Sequence, residues 1–244
     1  MSPLLQTLPL LFKLPLLVSD AICMRISGIP PNPPTTSGML VIPDWREHFL
    51  RSLAYPTKAL RAMSLLAQLI EFLVIAAHYN RTGPISSFVL NTFVSDSSCV
   101  ERIHLTPLFL AGNALNIVGT LFRIRCYRHL GRLFTFELRI QEEHELITDG
   151  PYAWVRHPSY TALICTVFGA FCSHASGSWL SECGPLQSVI IQILAVFWVS
   201  VGFAVVLSLL LRIDREDAML KKAFGDSWTQ WSLNVPYKLV PGIY

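Results

Sequence analysis

Residues 187–211 read QSVIIQILAVFWVSVGFAVVLSLLL, a run without one charged side chain. At about 1.5 Å per residue, a helix of that length covers the roughly 30 Å hydrocarbon layer of a bilayer. The rest of the chain agrees with a membrane setting. Of its 244 residues, 52% are hydrophobic and only 14% are charged, where a soluble domain carries about 25%. Mean hydropathy is +0.46. A soluble core large enough to hide that apolar content would need a longer chain, so lipid is the solvent that fits. An ordinary soluble enzyme is excluded.

The formal net charge of +3 comes without a dense basic block, so no nucleic-acid partner is expected. Six cysteines, Cys23, Cys99, Cys126, Cys165, Cys172 and Cys183, form no C-x-x-C, which argues against a zinc site or a thioredoxin-like redox pair. The Met-Ser-Pro start lacks the basic region of a cleavable signal peptide, so the apolar N-terminus is expected to be retained.

Working outward, residues 158–176 form a shorter span, with Pro158 suited to a first helical turn. It makes a hairpin with 187–211, closed by 177–185. Two further spans are expected over 62–78 and 104–122, whose polar interruptions point to packing against neighbouring helices. Residues 3–24 are apolar but carry Lys13, Asp20, Pro9 and Pro15, so the segment could cross with a kink or lie at the interface. The SGIPPNPPTTSG stretch after it has the composition of an irregular linker. The expected architecture is all-α: an integral membrane bundle of about five helices with a cytosolic-face cofactor pocket. We divide it into an N-terminal apolar segment and Pro-rich linker (1–60) and a membrane domain (61–244) with a motif core at 125–244.

Charge placement orients the bundle. Sixteen Lys and Arg fall in 25–61, 123–158 and the tail from 212, against Arg81 and Arg102 alone on the other side. The positive-inside rule then puts the 123–158 loop and the tail together in the cytoplasm. It also puts Cys99 and Cys183 on the oxidising side, where they could pair.

The segment ELRIQEEHELITDGPYAWVRHPSY (137–160) is the densest collection of polar and aromatic groups in the chain. Asp149-Gly150-Pro151 is a turn signal, and His157 before Pro158 is pushed toward extended geometry. Free N–H groups at the following helix start could receive a carboxylate or phosphate. The plainer alternative is a loop whose Arg, Trp and Tyr merely anchor a helix at headgroup level. His129, His144 and His157 match no zinc spacing, so no metal is expected. Neither a Rossmann nor a P-loop motif is present.

Arg212 and Glu216 are four residues apart, on one helix face at the mouth of the hairpin. Taken alone, they read better as a helix-end salt bridge of little energetic consequence than as a functional pair. Glu71, deep in an apolar run, is expected to face a partner or a cavity, and reads equally well as a helix-packing or a functional residue.

The order HELITDGPYAWVRHPSY (144–160), RIDREDAML (212–220), FGDSW (224–228) and Val235-Pro236 resembles the isoprenylcysteine carboxyl methyltransferases, from Arg125 to the C-terminus. Leu130-Gly131 and Phe134-Thr135 fit the leading edge. The resemblance implies an endoplasmic-reticulum enzyme that takes S-adenosylmethionine from the cytosol. It would methyl-esterify the C-terminal prenylated cysteine of processed CaaX proteins. Carried over by position, Glu137, His144, Glu145, Leu146, Ile147, Tyr152, His157, Pro158, Ser159 and Tyr160 would contact the cofactor, and Arg212 and Glu216 would line the acceptor site.

The sequence departs from the family pattern at Glu137, where glutamine is common, and at Ala162, where glycine often follows the tyrosine. It departs again at Asp217, where a second glutamate is usual, and at Trp228 and Trp231, where tyrosines are frequent. These departures bear on substrate identity more than on cofactor use. Competing readings are a phospholipid amine N-methyltransferase, a sterol-reductase-like enzyme suggested by the VPYKLVPGIY ending, and a scaffold without activity.

Overall fold

The computed structural model describes residues 10–32, 39–40, 45–96, 98–135, 139–140 and 145–244. Ten α-helices account for most of them: α1 (Lys13–Gly28), α2 (Trp45–Ser52), α3 (Ala54–Tyr79), α4 (Pro84–Phe93), α5 (Cys99–Arg102), α6 (Pro107–Leu130), α7 (Pro158–Ala175), α8 (Trp179–Glu182), α9 (Val189–Phe224) and α10 (Asp226–Asn234). Two-residue strands β1 (Met39–Leu40) and β2 (Arg139–Ile140) pair antiparallel. The all-α membrane bundle expected from the sequence is the observed architecture.

Among the described residues, four helical stretches are long and apolar enough to cross a membrane: Trp45–Tyr79, Pro107–Leu133, Pro158–Glu182 and Val189–Phe224. Each runs past the bounds read from the sequence. α3 starts eight residues before 62, α6 continues to Leu130 and α9 to Phe224, because charged side chains beyond the apolar run still favour helix once outside the hydrocarbon. The outer face of α9, with Val189, Ile190, Ile193, Val196, Phe203 and Leu207 exposed, is apolar as lipid contact requires.

The N-terminal expectation is corrected in one respect, the kink. α1 carries no proline kink: Pro15 falls in its first turn, where the missing N–H costs nothing. The part of the 3–24 segment before Leu10, with Pro9, lies outside the described residues. One face of α1, with Lys13, Leu17, Asp20, Cys23 and Ser27 buried, packs against α3, α6 and α7. Lys13 Nζ pairs with Glu71 Oε1 at 2.6 Å, donates to Gly177 O at 2.6 Å and sits over the Phe109 ring. One turn after another, Asp20 Oδ1 accepts from Asn113 and Asn116, and Ser27 Oγ meets Thr120 Oγ1. At its far end Gly28 O accepts from Arg61. α1 therefore runs the depth of the bundle, with the Lys13 charge paired to Glu71 and the Asp20 carboxyl held by the two asparagine amides.

α6 and α7 are the most intimate pair. A Cβ on Gly112 would come within 2.7 Å of Gly169 O, and one on Gly119 within 2.8 Å of Ala162 O, so small residues set the close backbone approach. At the end of the bundle near Lys13, Val74, Ile75, Val100, Phe109 and Trp179 form a core beside the Cys99–Cys183 disulfide. That pairing agrees with the sequence reading. Glu71 belongs to this end: besides Lys13 it accepts from Trp179 N at 3.1 Å, a packing role.

Candidate functional site

Basic residues from three separated stretches meet at the other end of the bundle. Arg51 and Arg61 come from α2 and α3, Arg123 from α6 and Arg212 from α9. All of them line one chamber of about 480 Å³. Its walls also hold Glu145, Leu146, Ile147, Tyr152, His157, Ser159, Tyr160 and Glu216, so nine of the twelve residues singled out in the sequence share this cavity. Pro158 is buried beside it but does not line it. Glu137 and His144 lie outside the described residues.

The turn before α7 is fixed by its surroundings. Gly150, at φ 56°, lies so close over the His129 ring that a Cβ would collide with it, which is why a glycine stands there. The 3-10 turn that Gly150 opens buries Tyr152, whose carbonyl accepts from Trp231 Nε1 at 3.2 Å. Cys126, Tyr152, Trp228, Trp231 and Val235 pack together behind it. Burial holds the Tyr152 phenol well above its ordinary pKa, so it stays neutral.

Arg156 and His157 are held from both sides. Their backbone N–H groups donate to Tyr237 O at 3.0 Å and Lys238 O at 2.8 Å, and Thr161 Oγ1 donates to Leu239 O. The ending VPYKLVPGIY thus acts as a strap along the loop. Lys238 is itself anchored at 2.6 Å to Asp214, and this hydrogen bond raises its ammonium pKa. From α9, Asp217 Oδ2 lies 2.9 Å from Arg156 and Oδ1 lies 3.0 Å from His157 Nε2.

The expectation of free N–H groups at the start of α7 is narrowed, since Pro158 has none. The N–H groups of Tyr160 and Thr161 both donate to His157 O. This follows from the backbone of His157, which stops short of full extension at φ −124° and ψ 58° and leaves its carbonyl over the first turn. Anion-binding capacity lies instead in side chains. Arg212, 6% exposed, brings its Nε to 3.9 Å from Glu216 Oε2, and Tyr160 donates its hydroxyl to the same carboxylate oxygen.

Sequence reasoning missed three contributors. Arg123 Nη1 donates to both Ser159 O and Oγ at 2.8 Å while its Nε reaches Ser27 O at 3.0 Å, tying α1, α6 and α7 together. In the sequence it looks like any arginine at a helix end. Glu47 of α2 is buried in the chamber wall, and the amphipathic WREHFLRS pattern was the available signal. Asp217 was visible only as a departure from the family pattern.

Below the charged rim the cavity turns apolar. It descends between α7 and α9 past Leu163, Val167 and Leu209 to Phe171, Trp198 and Gly202. Fold and chamber define a multi-pass helical membrane protein whose ligand chamber has a charged head and an apolar shaft. Residues 112–175, most of α6 through α7, match the model of the isoprenylcysteine carboxyl methyltransferase family. Through this segment the chain is similar to that family.

Among similar proteins, "Protein-S-isoprenylcysteine O-methyltransferase B" of Arabidopsis thaliana is 29% identical over 129 residues, covering 51% of this chain and 55% of that relative. The "Probable protein-S-isoprenylcysteine O-methyltransferase" of Oryza sativa subsp. indica is 26% identical over 181 residues, covering 68% and 85%. The chain therefore spans about half the length of the Arabidopsis relative.

Proposed function

We propose that the protein transfers a methyl group from S-adenosylmethionine to the C-terminal carboxylate of a prenylated cysteine. The observation that carries this reading is the two-part chamber, in which Arg212, Glu216, Tyr160 and His157 converge above an apolar shaft. An acceptor with an anionic head and an isoprenoid tail matches both parts.

The chamber suits the proposed donor as well. Glu145 and Glu216 offer carboxylates to a cationic ligand, Arg123 and Arg156 offer guanidiniums to its carboxylate, and Tyr152 and Leu146 offer apolar faces to its base. When bound, S-adenosylmethionine would supply a sulfonium methyl. A carboxylate acceptor is ionised at neutral pH, so no side chain has to act as general base. Arg212 would hold it through paired N–H donors, aligned for in-line attack. Glu216 would steady Arg212, with the Tyr160 hydroxyl fixing Glu216 in turn. Burial of Arg212 and the enclosing Trp231, Ile147 and Tyr152 would exclude water, which favours a reaction in which charge is lost.

The same reading takes the substrate as a processed CaaX protein and the membrane as the endoplasmic reticulum, with the chamber facing the cytosol. The charge asymmetry of the loops and the disulfide at the opposite end support that orientation.

The test is transfer of labelled methyl from S-adenosylmethionine to N-acetyl-farnesylcysteine in membranes of a host lacking that activity. Base-labile release of labelled methanol is the expected result. Label appearing instead on a phospholipid amine, with a rate that climbs at alkaline pH as the amine loses its proton, would overturn it.

A further inference from the structure

A second cleft opens on the outer side of the turn that carries Tyr152. It encloses about 350 Å³ between the end of α6 and the 3-10 turn, bounded by Phe122, Arg125, Arg128, His129, Pro151 and Trp154. Arg125 and Arg128 sit three residues apart, so both point to the same side of α6. Both are exposed, and among the described residues neither guanidinium has a carboxylate or carbonyl partner. The exposed His129 ring is beside them, 3.6 Å from Asp149. This is a concave site with two uncommitted bidentate donors, the geometry that suits a phosphate.

Depth within the bundle specifies which phosphate. Arg125 lies eighteen residues after Pro107, about 27 Å along the helix axis, close to the thickness of the hydrocarbon layer. The cleft is therefore level with the headgroups. Trp154, 68% exposed, stands at its rim as aromatic side chains do at the membrane interface. Phe122, one turn deeper, faces the acyl region.

We propose that this cleft binds the headgroup of an anionic phospholipid, with Arg125 and Arg128 on its phosphate and Trp154 against the glycerol backbone. A bound headgroup would rest on the outer side of the Gly150–Ala153 turn, whose Tyr152 lines the chamber within. The proposal does not depend on the reaction carried out in the chamber.

The experiment is native mass spectrometry of the full chain in detergent, titrated with phosphatidylserine, phosphatidylcholine or inorganic phosphate. Phosphatidylserine should bind in preference to phosphatidylcholine. R125Q/R128Q should weaken that binding on the order of tenfold or more. K221Q/K222Q, an equal charge change at the end of α9, should leave it unaltered. R128Q alone serves where the double variant fails to fold, and an intact Cys99–Cys183 disulfide reports folding. Three results would each overturn the proposal: unchanged affinity in the arginine variants, an equal loss in K221Q/K222Q, or displacement of the lipid by equimolar inorganic phosphate.

Discussion

Asp217 accepts from His157 Nε2 at 3.0 Å through one carboxylate oxygen and faces Arg156 at 2.9 Å through the other. One side chain of α9 thus holds two consecutive residues of the loop before α7, with the C-terminal strap behind them. With its side chain only 10% exposed, the carboxylate lies behind the chamber wall and braces Arg156 and His157, which line it.

Removing it should leave Arg156 and His157 buried without their anion. Asp217→Ala is expected to cost about 3 kcal/mol of stability, the usual result of breaking a buried pair. The methyl-transfer rate should fall with it. Asp217→Glu, which restores the acid found in the family pattern, should recover most of both. Thermal unfolding in detergent alongside turnover measures this, and a stable Asp217→Ala protein would show that the strap alone suffices.

Arg212→Ala and Glu216→Ala should each lower turnover on the order of 100-fold or more, since buried charge complementarity at a reacting centre is a large contribution. Both proteins should still form the Cys99–Cys183 disulfide at the far end. Arg212→Lys keeps the charge but loses the planar fork, so it should remain severely impaired. Near-normal rates in any of the three would remove that residue from the chemistry.

The membrane class and the four apolar helices were legible because they depend on composition over a span, which the run at 187–211 states almost by itself. α1 was only half legible: it entered the count of about five helices, but Lys13 and Asp20 argue against a transmembrane reading until their partners are known. Those partners, Glu71, Asn113, Asn116 and Gly177, lie far along the chain. The chamber was legible through motif order, which brought together residues such as Tyr152 and Arg212 from separate segments. Arg123 and Glu47 were not, since only tertiary packing turns them inward. The small-residue approach of α6 and α7 was visible in the polar interruptions of 104–122, but without its depth.

Lys13 and Glu71 make a second energetic test. Lys13 is fully buried and Glu71 nearly so, hence Lys13→Met should strand a carboxylate in the bundle at a cost of about 3 to 5 kcal/mol. Lys13→Met with Glu71→Gln removes both charges, while the amide oxygen can still accept from Trp179 N. The double variant should therefore be more stable than Lys13→Met alone. A double-mutant cycle of unfolding in detergent gives the coupling, and additive losses would mean that the pair contributes nothing beyond its packing.

The floor of the apolar shaft makes the strongest prediction about the acceptor. Gly202 lies ten residues before Arg212 on α9, about 15 Å down the helix axis. A Cβ there would collide with the Phe171 ring, so the glycine exists to seat Phe171. Trp198 closes the floor beside it, 4.8 Å from Phe171 between ring centroids and fixed by its indole N–H on Ser64 at 2.7 Å. If an isoprenoid tail occupies the shaft, this floor sets how long a tail fits. Gly202→Val should tilt Phe171 into the shaft and lower kcat/KM for geranylgeranylcysteine more than for farnesylcysteine, with geranylcysteine least affected. Phe171→Ala should open the floor and shift the ratio the other way. Apolar pockets discriminate by one to a few kcal/mol per small group, so each ratio should move by about tenfold or more. Equal losses for all three acceptors in both variants would place the tail outside the shaft, against the lipid-facing surface of α9.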